Sequence, residues 1–491
     1  MKRYSLIFIG IVMAFSANAQ NETDALRYSY LNYNGTARFA GLGGAMGALG
    51  ADMSAISLNP AGMARYSRND FSFTGNLTNT NASGFYDGNT VDANRTNFNI
   101  SNIGAVFVRP LGLESPSLWK SIQFGVTSNR VNDFQSETRI EGGNDKSMLS
   151  SYTNYLNDNG IPLNSVSDFY EGLAFDAGLL THDSLSGRYT PWYNESNADI
   201  EQTKRTVTTG AQYQTDIAVS GNYNGKLYVG GSIGLPRIRY NTNSTYTENF
   251  VTVDSVYDTE GFSMKEDIST RGSGFNFKLG VIYAPVKFLR VGLALHTPTW
   301  YSLTDQYSTQ FNSDFTDNNF DAIKNSPDGT FDYRLRTPGR ILASAAFLYK
   351  KRGFISLEYE YVDYSTATLN DDFAAQFSYG FNAENAVSKE IYQGASIFKL
   401  GAEFRMTNFW TVRGGYSYFG SPIKEQYAEV DGARNNLSAG VGYRNRDFSI
   451  DFTYLRSQWK EESYLYDPEL VTPTVTTTTL NNFMVTAGFR F

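Results

Sequence analysis

The sequence predicts an all-β fold, a transmembrane antiparallel barrel of about fourteen strands with a short N-terminal plug in its lumen. Three observations predict it: an export leader at the start, period-two apolar faces that recur down the chain, and links between those faces that alternate short and long.

The leader comes first. Lys2 and Arg3 precede the apolar run Leu6–Phe15, and Ala17-Asn18-Ala19 has the small-x-small pattern of a signal-peptidase site. Residues 1–19 are therefore expected to be removed, with Gln20 opening the mature chain. A run of ten apolar residues is too short for a spanning helix, which takes about 20. Every later apolar run is soon broken by Gly, Ser, Asn, Arg or Lys.

The barrel is clearest at its end. Phe483, Val485, Ala487, Phe489 and Phe491 share one face, while Asn482, Met484, Thr486, Gly488 and Arg490 share the other. A chain that stops on a strand with terminal Phe491, preceded by Phe489, resembles the signal read by the outer-membrane barrel assembly machinery. Similar faces give candidate strands at 70–77, 97–108, 121–133, 205–221, 225–240, 273–285, 287–299, 337–350, 352–364, 394–407, 409–419, 434–446, 447–459 and 480–491. Each is close to the length a tilted membrane strand needs. In 337–350 both faces are apolar, and 70–77 carries the least pattern.

The links test the count. From the second strand on, every other link is short: Asn222–Asn224, Pro285-Val286, Lys351, Asn408 and Asn445–Asp447. The links 134–204, 241–272, 300–336 and 365–393 run to tens of residues, and 109–120 is the one longer periplasmic link. Long loops outside and short turns in the periplasm are the barrel rule, and an even count returns Phe491 to the periplasm.

Composition excludes several function classes. The chain has no cysteine, so it holds no disulfide, thiolate metal site or cysteine nucleophile. A net charge of −8 argues against nucleic acid as a partner. The two histidines, His182 in a long loop and His296 near a strand end, support neither a Ser/His hydrolase nor a haem ligand set. The acidic cluster Asp314, Asp317, Asn319 and Asp321 lacks the glycine and terminal glutamate of a calcium loop and is expected to be a solvated tip. No enzyme and no cofactor are expected.

Residues 20–69 lack the strand pattern and are expected to form a hatch, with the barrel over 70–491. The hatch contains the glycine-rich run Ala40–Asp52, a short helix from Asp52 to Leu58, and then Asn59-Pro60-Ala61-Gly62. The run has no Gly-x-x-x-x-Gly-Lys-Ser/Thr pattern, so its glycines serve close backbone packing rather than phosphate binding. Asn59, preceding Pro60, is held extended and ends the helix.

A glycine-rich stretch followed by Asn59-Pro60-Ala61 and then a fourteen-strand barrel resembles the FadL/TodX family. The resemblance implies an outer-membrane transporter, working as a monomer, for long-chain fatty acids and other hydrophobic compounds. It also implies capture by extracellular loops, binding in the lumen, hatch movement and sideways release into the outer-membrane lipid. The third strand loses its apolar face after Val126, so the lateral opening is expected at Thr127, Ser128, Asn129 and Arg130, within 127–133. Lys278, Lys399, Arg405 and Arg413 are candidate lumen partners for a ligand carboxylate, or members of ladders with Glu403 and Glu358. The competing functions on the same fold are a structural or secretion-associated barrel, a haemin receptor and an aqueous porin.

Overall fold

The computed structural model describes residues 22–491 apart from 33, 112–116, 194–197, 253–258, 316–321, 372–378 and 429. The expected leader, and Asp317, Asn319 and Asp321 of the acidic cluster, lie outside the described residues.

Fourteen antiparallel strands close into one barrel, each paired with its neighbours in the chain. They are β1 (Asp70–Tyr86), β2 (Asn89–Pro110), β3 (Trp119–Asp133), β4 (Asp199–Tyr223), β5 (Leu227–Thr252), β6 (Thr259–Val286), β7 (Leu289–His296, resuming as Trp300–Phe315) and β8 (Gly329–Arg336, resuming as Arg340–Tyr349). The circuit continues with β9 (Gly353–Asp363), β10 (Gly394–Arg405), β11 (Trp410–Phe419), β12 (Arg434–Arg444), β13 (Phe448–Ser463) and β14 (Thr474–Arg490). β1 pairs with β14 from Asp70↔Arg490 to Phe85↔Val475, which removes both sheet edges. Arg490 Nε and Asp70 Oδ2, 2.9 Å apart, clasp that seam at the periplasmic rim.

Every expected strand is present, and several run far past their expected ends. β4, β5 and β6 have 25, 26 and 28 residues, where about 9–11 cross a bilayer. Most of 241–272 and 300–336, expected as loops, is this extension. The reason is physical. Above the lipid the outward face turns polar while the inward face mixes polar residues with apolar ones packed under the cap, so the apolar alternation that marks a membrane strand disappears while the ladder continues. β1 and β2 show the same effect: they meet at Asp87-Gly88, both at positive φ, the two-residue turn that suits a hairpin.

The lipid face is apolar and the lumen face polar. Phe483, Val485 and Phe489 of β14 point outward, 42–48% exposed, while Asn482, Met484 and Thr486 are buried inside. Terminal Phe491 is 67% exposed at the rim. β8 breaks the rule for a reason visible inside: its inward Leu342 and Ala346 pack on hatch residues Met46, Ala48 and Leu49.

The N-terminal segment lies in the lumen as α1 (Glu22–Ser29), α2 (Ala37–Gly41), α3 (Met53–Leu58) and a 3-10 turn, Pro60–Arg65. Asp52 caps α3 by accepting from Ser54 N at 3.0 Å, and Asn59 caps the 3-10 turn by accepting from Ala61 N at 3.1 Å.

Above the membrane, β3 continues as Ser136–Asn144 along β4, followed by α4 (Met148–Asp158) and α5 (Glu171–Asp176). This cap packs Leu149, Tyr152, Leu156 and Leu173 onto Tyr246, Phe250, Phe262 and Phe311 from β5–β7. Within it Glu171 is 1% exposed, and among the described residues no other residue hydrogen-bonds its carboxylate. Burial pushes its carboxyl up to about 7. The folded cap therefore accepts the neutral acid and resists the carboxylate. This stabilisation is complete below the ordinary pKa of 4.5 and is lost as pH rises through about 7.

Two outcomes follow from this architecture. Val485→Arg, on the lipid face of β14, should destabilise the barrel by about 2–4 kcal/mol in urea titrations in vesicles, whereas Val485→Leu should be neutral. Protection factors of cap amides in α4 and α5, corrected for the intrinsic exchange rate, should be lower at pH 8 than at pH 5, by up to roughly 3 kcal/mol. Glu171→Gln should reduce that dependence in hydrogen-exchange measurements, the remainder coming from Glu248, which accepts from Ser147 Oγ and Met148 N at the start of α4 and which burial also pushes up to about 7.

Candidate functional site

The hatch meets the wall through shape below and apolar contact above. At the lower level, Gly230 and Gly280 face each other across β5 and β6, both turned inward. A Cβ at Gly280 would collide with Asn59 Oδ1, and one at Gly230 would come within 2.7 Å of the Pro60 carbonyl. The paired glycines form a notch for Asn59-Pro60. Asn59 Nδ2 donates to Gly47 O at 2.8 Å and to the wall carbonyl of Val281 at 3.3 Å. Gly401 and Gly415, paired across β10 and β11, make a second notch against the Leu42-Gly43 backbone. The hatch motif Asn59-Pro60-Ala61-Gly62 is thus seated against the barrel wall.

Charges hold the same interface. Glu403 takes Arg38 of the hatch at 3.0 Å and Arg413 of β11 at 3.3 Å, and Arg413 reaches Asp451 at 2.6 Å. Lys399 bridges Glu358 at 2.9 Å and Glu360 at 3.0 Å, while Glu358 accepts Gly47 N at 2.9 Å. Lys278 pairs with Asp216 at 2.8 Å, which also accepts from Ser57 Oγ of α3 at 2.5 Å. Of the four candidate ligand cations, Lys278, Lys399 and Arg413 are therefore buried in ion pairs that tie wall to hatch. Arg405 is exposed at the periplasmic rim. His296 donates from Nε2 to Leu58 O at 2.8 Å, and the His182 ring lies tilted against Tyr189 in the cap, 4.6 Å between centroids. Among the described residues the space that His296 lines is about 20 Å³.

Above the notches the lumen turns apolar. Phe134, Ile238, Tyr240, Tyr301, Leu303, Tyr333, Leu335 and Phe381 line a chamber in which Ala25 and Tyr28 of α1 are embedded. Tyr28 meets Phe134 and Tyr240 edge-on, each at 6.2 Å between centroids. The other side of α1 sets Leu26 and Tyr30 against Val362, Tyr364, Ile397 and Phe419. The space left between α1 and β6–β8 is about 20 Å³, at most a water. Sequence reasoning missed this lining. Its signal was phase: Ile238 and Tyr240 share the inward parity of Ser232 and Gly234, opposite to lipid-facing Ile233 and Leu235.

In one wall seam beside the chamber the strand-to-strand ladder is interrupted. The β2–β3 ladder runs from Pro110↔Ser121 to Asn102↔Asn129 and stops. β2 shifts register against β1 there, with Ile100 opposite Gly75 and Asn102 opposite Thr74. β3 shifts against β4 between Arg130 and Asn132. Of the residues expected at the opening, Thr127, Ser128 and Asn129 pair on both sides, and only Arg130 lies in the break. The freed edge is taken by the hatch: Asn32 N donates to Val131 O at 2.7 Å and Asn34 N to Arg130 O at 3.1 Å. Across the gap, Ser101 Oγ donates to Gly35 O at 2.9 Å. Phe98, Ile100 and Ile103 put the break beside the apolar belt.

These features coincide with a match of residues 198–487 to the model of the outer membrane protein transport family, OMPP1/FadL/TodX. The chain belongs to that family. It is accordingly an outer-membrane protein with a transporter's fold. Among solved structures it resembles a FadL homologue of Pseudomonas aeruginosa, with 15% identity, 94% of this chain and 100% of that one covered, and a TM-score of 0.56. It also resembles the toluene transporter TodX of P. putida, with 13% identity, 92% and 97% coverage, and a TM-score of 0.54. The monoaromatic hydrocarbon channel CymD aligns at 12% identity over 94% and 99% of the two chains, with a TM-score of 0.50. At these identities the likeness is one of fold. No curated protein matches the chain.

Filling the glycine notch should loosen the hatch without opening the barrel. Gly280→Val should lower the protection of amides in 47–62 by about 1–3 kcal/mol, read by hydrogen exchange. The pairing of β5 with β6 should survive, read by unchanged heat-modified gel mobility.

Proposed function

We propose that the protein takes up hydrophobic small molecules, long-chain fatty acids among them, and releases them sideways into the outer membrane. The observation that carries this is the position of one continuous segment, residues 22–35. Its helix α1 fills the apolar chamber, and its next residues close the β2–β3 break. A hydrophobic ligand that replaces Tyr28 and Ala25 in the chamber would draw on the same burial, about 25 cal/mol per Å². Displacing α1 would pull Asn32 and Asn34 from the β3 edge and uncover the gap. Ligand admission and wall opening then become one movement.

The chamber's aromatic lining suits a hydrocarbon body, and the named relatives handle toluene and other monoaromatic compounds. A fatty-acid carboxylate would meet lumen cations already neutralised by Asp216, Glu358, Glu360 and Asp451. Recognition would therefore rest on the hydrocarbon more than on the head group.

The lack of native cysteine makes a direct test simple. Cysteines replacing Asn32 and Val131, cross-linked by oxidation or a short bis-maleimide, should stop uptake of labelled oleate and toluene by cells, and reduction of the disulfide should restore it. Uptake at the unlocked rate in the fully cross-linked protein would sink the mechanism.

A further inference from the structure

The lipid-facing wall carries two hollows near the periplasmic rim. The first, about 710 Å³, crosses β3–β7 between Trp119, Ile122, Val219, Leu279 and Leu293. It exists because Gly231 leaves its floor bare and the Trp119 ring lies over Gly221 as a side wall. The second, about 570 Å³, crosses β8–β11 between Phe347, Ile355, Phe404 and Val412, with Gly414 as its floor. All of these side chains point outward from the barrel and are exposed. They belong to the surface that the bilayer covers.

The turns beside both hollows are basic. Lys120, Lys226 and Lys287 stand at the ends of β3, β5 and β7 next to the first, and Lys350, Lys351 and Arg352 form the turn next to the second. All six are exposed, and among the described residues none is in an ion pair. The described residues of these turns, 117–120, 224–226, 287–288 and 350–352, include no acid. Composition does not account for that, since the whole chain carries −8. The short-turn rim is periplasmic, so the basic turns lie at the level of the inner-leaflet head groups.

We propose that the two hollows are binding sites for anionic phospholipid of the inner leaflet, an acyl chain lying in each hollow and the phosphate held by the three cations at its mouth. Apolar concavity and positive mouth occur together twice, on separate strand sets, and an anionic phospholipid satisfies both halves. Lysine clusters at a membrane surface attract anionic lipid additively. A neutral lipid would fill the hollow without engaging the mouth, and an acidic protein would engage the mouth and leave the hollow to bulk lipid.

The test is native mass spectrometry of the delipidated full-length protein in detergent, titrated with dioleoylphosphatidylglycerol or dioleoylphosphatidylcholine. The intact protein should retain two phosphatidylglycerols at concentrations where it retains no phosphatidylcholine. The triple variant Lys120→Gln, Lys226→Gln, Lys287→Gln should weaken one site by about ten-fold or more, and Lys350→Gln, Lys351→Gln, Arg352→Gln the other. Gly231→Leu, which fills the first hollow with every charge intact, should remove the same lipid as the first triple. Equal retention of the two lipids, an undiminished preference in the six-fold variant, or displacement of phosphatidylglycerol by equimolar glycerol 3-phosphate would overturn the proposal.

Discussion

Backbone hydrogen bonding in a medium without water is the constraint on which the structure depends. In hydrocarbon an unpaired N–H or C=O costs several kcal/mol, so a sheet can cross only if it closes on itself. The β1–β14 ladder meets that demand over sixteen paired positions, from Asp70 to Phe85. The β2–β3 seam does not, because the ladder ends at Asn102↔Asn129. The hatch backbone at Asn32 and Asn34 supplies the missing donors to Val131 and Arg130. A plug that completes the wall is coupled to the wall by necessity. It cannot leave the lumen without exposing the edge it covers.

Two kinds of contact hold that plug, and they differ in how they can be broken. Below, Arg38, Gly47, Ser57 and Asn59 engage the wall through directional bonds to Glu403, Glu358, Asp216 and Val281. Removing one partner there leaves a buried charge or donor uncompensated, at about 3–5 kcal/mol for an ion pair. Above, Gln212 and Arg340 donate to the Tyr28 and Ser29 carbonyls of α1, and Ala25, Leu26, Tyr28 and Tyr30 lie in apolar contact with the walls. Such contact is non-directional, and another apolar body can replace it with little net change. The apolar part of the α1 contact is the part that the proposed hydrophobic ligand would replace.

The legible part of the fold follows from lipid. Where one face meets hydrocarbon and the other water, as in 483–489, period-two alternation marks the strand and its ends. Where the outer face meets water, as in Asn79–Asn94, 241–249 or 261–272, the ladder persists without a lipid-facing pattern, and those stretches read as loops. The hatch motif was legible because Asn59-Pro60 constrains its own backbone. Its seat was not, since Gly230 and Gly280 matter only through pairing across strands far apart in sequence. The lumen cations failed for a related reason: alternation places Lys399 inside, but only the fold sets Glu358 and Glu360 beside it. In β8, apolar inner residues blurred the alternation because the hatch, rather than water, lies against them.

Charge placement separates the tasks of the barrel's levels. Lys278, Lys399 and Arg413 near the hatch are each paired with a carboxylate, and the chamber above presents aromatic rings with Arg27 lying over Tyr240 at 4.5 Å. An anion gains little there by entering, while an apolar molecule gains by leaving water. Unpaired cations instead line the periplasmic turns, outside the path from the chamber to the β2–β3 break. A molecule passing sideways at the height of Ile100 and Arg130 would enter the hydrocarbon layer without crossing that basic rim. On the proposed readings, selection by hydrophobicity inside the barrel is separate from electrostatic anchoring at its base.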